Sequence, residues 1–270
     1  MRQLLYILLL FCTASASAYD FEVDGIYYNI LESELWEHEN PTVEVTYGQI
    51  GGRGKEATPT YVGDMEIPAC VMWEGTEYQV IGIGYSAFFL TDVSSVKMSE
   101  GLVFIDDAAF YYSGLGGDVR LPSTLTFIGN YAFSSCEMTS IVIPNSVEFM
   151  GESVFDGCVN LRYAVLSSNQ KTIPTGTFNN CEWLTEVVIP YGIESIEGMA
   201  FKNTSIKLHD LPESLVRIAS SAFAGCNFSG VFLPYSLTDL GTGVFRDCTW
   251  LTYASIPRQI SKLPDYTFYN

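Results

Sequence analysis

Positive charge is scarce in this 270-residue sequence: lysine and arginine total 13 against 31 aspartates and glutamates, a formal net charge of −18. That balance argues against nucleic acid and anionic membrane surfaces as general partners. Charged residues of both signs make up only 16% and apolar residues 48%, the composition of a folded chain with a sizeable core. Histidine is nearly absent, with His38 and His209 alone, and neither H-E-x-x-H nor G-x-S-x-G occurs. His209 is followed by Asp210, but a Ser-His-Asp set needs convergence in space that the sequence does not display. The carboxylates are scattered, so no glycosidase pair stands out. No C-x-x-C or zinc spacing is present. The glycines at 51, 52 and 54 lack a following Gly-Lys-Ser/Thr, which excludes a phosphate loop. The reading is a protein without cofactor, metal or catalytic residues, and not an enzyme.

Long apolar runs are missing too, except at the start. Arg2, the apolar stretch Leu4 to Phe11, and Ala16-Ser17-Ala18 form the three parts of a secretory signal. The run is too short to span a bilayer. Phe11 before Cys12 departs from a lipidation signal. Residues 1–18 are expected to be removed, leaving a secreted or cell-surface chain from Tyr19 with no transmembrane span.

What the sequence has in abundance is repetition. A phenylalanine preceded by a small residue recurs at Phe88, Phe110, Phe133, Phe155, Phe178, Phe201, Phe223, Phe245 and Phe268, always 22 or 23 residues apart. Each is followed by a short polar turn, often with Cys three residues on. Next comes a run such as "MTSIVIP" from Met138 or "LTEVVIP" from Leu184, then a second alternation such as "LTFIG" from Leu125. Period-two alternation bounded by Pro and Gly predicts short strands, and the Pro closes the first of them. The segment around the Phe is too short for a full helix and is expected to be a helical turn. One such unit cannot bury its apolar side alone, but stacked copies can. The fold expected is a β-rich solenoid of about nine coils, with the phenylalanines in one buried column. Within "GNYAFSSC", Gly129 is expected to turn the chain, Ala132 to let coils approach, Phe133 to fill the corner and Cys136 to join a buried thiol column.

This unit, L-x-x-I-x-I-P…I-G-x-x-A-F-x-x-C, resembles the BspA-like leucine-rich repeats of bacterial surface proteins, over roughly Met65 to Asn270. The opening "YDFEVDGIYYNIL" from Tyr19 is similar to the first strand of exported proteins of that family in Bacteroides-type bacteria. The resemblance implies a curved leucine-rich solenoid displayed outside the cell, binding rather than catalysing. Some units depart from the pattern: Ser167 replaces the Pro, "GLGGD" adds a residue, and Thr204 replaces Cys. The final "DYTFYN" carries no polar capping segment, so the expectation is either a fragment or an open end available for self-association.

Residues 19–64 lack the marker and read as an N-terminal β cap with a surface loop over 48–60. "MEIPACVMWEGTEYQVIGIG" from Met65 reads as a degenerate first repeat carrying a hairpin at "WEGTEY". Five of the seven cysteines share one repeat position, Cys136, Cys158, Cys181, Cys226 and Cys248, with Cys70 apart. Side chains in a stack point the same way, so these are expected to be buried free thiols acting as small hydrophobes.

Binding would fall on the outward positions of the first strand. They include Lys97 and Arg120, two of few cations, side by side. An apolar band follows, formed by Val142, Tyr163, Val165 and Val188 with Glu186 beside it, then Lys207, Phe232 and Tyr253. An exposed apolar band rimmed by charge marks a binding surface, although Val and Tyr also favour strands with no partner. The expected role is a surface recognition or adhesion module for a host or bacterial protein or glycan. The alternative is a structural envelope spacer.

Overall fold

A computed structural model describes residues 19–31, 40–48, 61–208 and 211–270. The signal segment, His38, His209, Asp210 and the glycines at 51, 52 and 54 lie outside the described residues.

The N-terminal part contains β1 (Phe21–Val23), β2 (Ile26–Leu31), β3 (Thr42–Thr46), β4 (Val62–Ile67), β5 (Cys70–Trp73) and β6 (Thr76–Ile83). The first three pair antiparallel, β5 and β6 form the hairpin expected at "WEGTEY", and β3 joins β6 in parallel. The boundary read at 64/65 falls inside β4, which pairs in parallel with the next coil.

From there the chain coils. The first strands of successive coils are β7 (Asp92–Met98), β9 (Gly116–Arg120), β11 (Glu137–Val142), β13 (Tyr163–Val165), β15 (Glu186–Val188), β18 (Gly230–Phe232) and β20 (Tyr253–Ser255). The second strands are β8 (Phe104–Ile105), β10 (Phe127–Ile128), β12 (Phe149–Met150), β14 (Thr172–Ile173), β16 (Ser195–Ile196), β17 (Arg217–Ile218) and β19 (Asp239–Leu240). Within both series neighbours pair in parallel, in runs: β4 with β7, β9 to β15 and β18 with β20 among the first strands, and β6 to β12 and β14 to β19 among the second. Nine aromatic layers bound eight intervals, and seven of those carry a first strand. Segment 205–208 does not form one, although Lys207 N–H still donates to Thr185 C=O at 3.0 Å. The solenoid therefore has about seven strand-bearing turns rather than nine coils.

The marker phenylalanines form the column. Phe88 through Phe245 are fully buried, and neighbouring rings lie 4.7–6.0 Å apart with planes within 20°. Tyr61 continues the column at its N-terminal end, 4.6 Å from Phe88. Its hydroxyl donates to Thr46 C=O at 2.5 Å and accepts from Tyr27 N–H at 3.1 Å, which satisfies the phenol inside the core.

The expected helical turns are not helical. Among the described residues no helix occurs. Around each marker the chain makes consecutive i→i+3 turns, as in Ala87 N–H to Gly84 C=O and Phe89 N–H to Ser86 C=O. The residue two before the marker and the residue two after it both take positive φ. Tyr131 (φ 55) and Ser135 (φ 59) flank Phe133 in this way, and Met199 (φ 57) and Asn203 (φ 58) flank Phe201. Left-handed residues break an α-helix, at a cost of about 1–2 kcal/mol each for a residue with a Cβ. Here coil-to-coil bonds hold them: Tyr131, Phe133 and Ser135 each donate N–H to the next coil, at Glu152, Val154 and Asp156. The corner is thus a third hydrogen-bonded ladder beside the two of strands. Gly129 does not turn the chain. A Cβ there would stand 2.4 Å from the Asp107 backbone nitrogen, so glycine is required by the close approach of the preceding coil.

The thiol column is present and does more than fill space. Sγ of Cys136, Cys158, Cys181, Cys226 and Cys248 each donates to the carbonyl of the preceding coil's marker Phe, at 3.0–3.1 Å. Where Thr204 replaces Cys the bond changes partner: its Oγ1 donates to the carbonyl of its own coil's marker, Phe201, at 2.8 Å, rather than to the preceding one. Burial pushes the Cys136 and Cys226 thiols up to about 12, and Cys158 well above its ordinary value. All six described cysteines are free, and Cys70 alone is exposed. Only the thiolate reacts. A chain of residues 19–270 is therefore expected to show one thiol reactive to a disulfide reagent when folded and six when unfolded without reductant. A denatured count below six would reveal a disulfide and refute the column of free thiols.

Candidate functional site

Alternation on the first strands sends Ile141, Ala164 and Val231 into the core and leaves the intervening side chains outside. The register then stacks these outward residues. Asp118, Ser140, Tyr163 and Glu186 form one file, and Arg120, Val142, Val165 and Val188 form the next. Farther along, Gly230 faces Tyr253 and Phe232 faces Ser255. Sequence reasoning placed these residues on one face, and the pairing brings them into contact rows.

Their exposure differs. Val142 is 52% exposed, Tyr163 38%, Val188 46%, Phe232 60% and Tyr253 53%, whereas Val165 is half-buried. The Phe232 and Tyr253 rings lie 5.2 Å apart. Arg162, just before Tyr163, sits over the exposed Trp183 ring at 5.9 Å, a cation–π contact at the edge of the band. Lys207 is exposed on the coil between Val188 and Phe232.

The cationic end does not survive in the form expected. Lys97 Nζ lies 2.5 Å from Glu66 Oε1 on β4, so its charge is paired. Beside it Ser95 Oγ donates to Asp64 Oδ1, and Ser140 Oγ to Asp118 Oδ1, both at 2.6 Å. The N-terminal end of the face is a mixed ladder of carboxylates and donors, and Arg120 is its exposed cation. The reason lies in β4, which lacks the marker yet stacks in register with β7 and supplies two acids.

A second exposed surface escaped sequence reasoning. At the corners of the first coils Tyr85, Phe89, Leu90, Tyr112 and Tyr131 are exposed, and Tyr111 packs between Phe89 and Tyr131 at 5.7 and 6.2 Å. These residues occupy variable positions beside the marker, and their signal is a local excess of aromatics over the corresponding "ESVFDG" and "TGTFNN" units. Among the described residues no group of His, Cys, Asp and Glu is arranged to hold a metal ion. No described helix is long and apolar enough to cross a membrane.

Comparison with known proteins agrees with this geometry. Six copies of the family described as "BspA type Leucine rich repeat region" match across residues 81–207 and 171–270. No curated protein matches the chain. Among solved structures, a leucine-rich repeat protein from Bacteroides ovatus is 23% identical with a TM-score of 0.50, covering 88% of this chain and 72% of its own. A leucine rich cell surface protein from Faecalibacterium prausnitzii is 20% identical with a TM-score of 0.62, covering 94% and 81%. At such identities the likeness establishes the fold and no more.

Proposed function

The chain belongs to the BspA-type leucine-rich repeat family of bacterial surface proteins, and from that premise we propose that it is an exported recognition module that docks a protein partner through its first-strand face. The observation that carries the proposal is the exposed apolar positions Val142, Tyr163 and Val188 on one hydrogen-bonded ladder and Phe232 and Tyr253 on a second, farther along the same series of first strands. These side chains point away from the core and contribute to the fold only through cross-strand contacts such as Phe232 on Tyr253. Held on paired strands, they offer a partner apolar and aromatic anchors at small ordering cost. Glu186, Arg120 and Lys207 stand beside the band as a polar rim that sets orientation more than affinity. Lys97, paired to Glu66, is not a free contact. Nothing in this arrangement supplies a nucleophile with a base, so the proposed role is binding.

The test is a triple variant, Tyr163→Ser, Val188→Thr and Phe232→Ser, in residues 19–270. A partner is first recovered with the wild-type chain from host matrix and co-resident bacterial surface fractions, and its affinity is measured by calorimetry. Loss of three anchors is expected to weaken binding at least ~30-fold, about 2 kcal/mol. The same substitutions, on exposed positions, are expected to leave unfolding free energy within ~1 kcal/mol. Wild-type affinity in the folded variant would reject the face.

A further inference from the structure

Among the described residues, the first strand of the ladder is bonded on one edge only. β4 pairs with β7, and no other described strand pairs with it. Ser99 N–H donates to Ile67 C=O at 3.2 Å, which directs the backbone groups of Ile67, and by strand alternation those of Met65, toward β7. Asp64 and Glu66 therefore aim their N–H and C=O groups at the opposite edge. That strand borders a groove of about 480 Å³, lined also by Asp24, Tyr28, Val71 and Met72. Asp24, Asp64 and Glu66 line it, and among the described residues no lysine or arginine does.

We propose that the open edge of β4 is a strand-addition site for an extended cationic peptide. Unpaired strand edges are templates for main-chain pairing. The occupant's charge follows from what the bonded edge already shows. On the β7 side, Ser95 and Lys97 stand in register opposite Asp64 and Glu66, and each binds its carboxylate, at 2.6 and 2.5 Å. A strand added on the other side presents side chains at the same heights. Lys or Arg there meets the same two carboxylates, and Asp24 lines the same groove. The exposed Met72 and buried Val71 give the intervening apolar side chains a floor. The site lies at the N-terminal end of the ladder, is built by β1, β2, β4 and β5, and does not depend on the apolar band.

Fluorescence anisotropy tests it, with residues 19–270 and the labelled probe Thr-Lys-Val-Lys-Val-Lys-Thr at low salt. Two further probes carry backbone N-methyl groups at alternate residues, one in each phase, and a fourth has Glu for Lys. Saturable binding of the first probe is expected, with at least tenfold loss in one methylated phase and loss of detectable binding for the Glu probe. Glu66→Pro removes an outward N–H, and with it the Glu66 carboxylate and its pair with Lys97, while leaving the main-chain bonds to β7; Glu66→Gln controls for the charge, and the proline variant is expected to bind at least tenfold more weakly than the glutamine one. Asp24→Asn with Asp64→Asn, which leaves the backbone alone, is expected to weaken it about threefold or more. Equal binding of both methylated phases would mean charge attraction without strand pairing and overturn the proposal. So would absence of saturable binding, or equal affinity in the folded Glu66→Pro and Glu66→Gln chains.

Discussion

Replacing Phe178 with alanine is expected to destabilise the protein by about 3–5 kcal/mol. The ring is fully buried between Phe155 and Phe201, at 5.4 and 5.5 Å, in planes 10° and 20° from its own. Removing it deletes a large apolar side chain and two offset-stacked contacts. Its neighbours cannot close the gap, because Phe178 N–H is bonded to Ala200 C=O and the corner on each side is fixed by the same ladder. Phe268 supplies the comparison. It is 37% exposed and stacks on Phe245 at 5.6 Å, so Phe268→Ala is expected to cost less than half as much. Denaturant unfolding of both variants, read at two wavelengths to detect departure from a single transition, checks the pair. Equal costs, or a loss below ~1 kcal/mol at Phe178, would mean that the column does not carry the stability assigned to it.

Replacing Glu44 with glutamine is expected to stabilise the protein in a pH-dependent way. Glu44 lies on β3 opposite Gly82. Burial pushes its carboxyl up to about 7, the charge of Asp106 adds to the rise, and the hydrogen bond from Asn29 opposes it. The space around it is tight, since a Cβ on Gly84 would meet Oε1 at 2.6 Å. The folded state therefore holds a proton that the unfolded chain releases near pH 4.5. This group's contribution is complete below that pH, falls as pH rises toward 7, and is lost above it. Across that window the wild type is expected to lose up to about 3 kcal/mol through Glu44. Glutamine keeps the acceptor for Asn29 and removes the titration. The variant should match wild type within ~1 kcal/mol at pH 4 and exceed it by up to about 3 kcal/mol at pH 8. Unfolding curves at the two pH values decide, and an equal difference at both would sink the assignment.

The coil was legible because its repeated letters are those whose side chains touch their own copies. Phe133 on Phe155 is such a case, and the Cys repeats for a related reason, since each binds the preceding coil's Phe carbonyl, as Cys158 does that of Phe133. The corner geometry was not legible, because φ at Tyr131 or Met199 is set by hydrogen bonds to the next coil and not by residue type. Nor was the role of Gly129, where proximity of the Asp107 backbone matters and no positive φ is involved. At the candidate face, period-two reading sorted inward from outward residues and the constant spacing set their neighbours. It missed the neutralisation of Lys97, because Glu66 belongs to a strand without the marker phenylalanine. The corner aromatics were missed because Tyr85, Phe89 and Tyr112 sit among positions where other coils carry Ser, Asp or Gly.

The three ladders all run in one direction, from each coil to the next. That alignment sets how the molecule answers mechanical load. A pull between its two ends acts along the stacking axis and so along the hydrogen bonds themselves, opening them in sequence rather than shearing many at once. Each coil that peels away releases a 22- or 23-residue segment, roughly 75 Å of extended chain, while the coils behind it keep their own bonds. A chain of this kind lengthens stepwise under tension, one coil at a time. The rows of Val142, Tyr163 and Val188 bear the same tension as every other coil and part only when their own coils open.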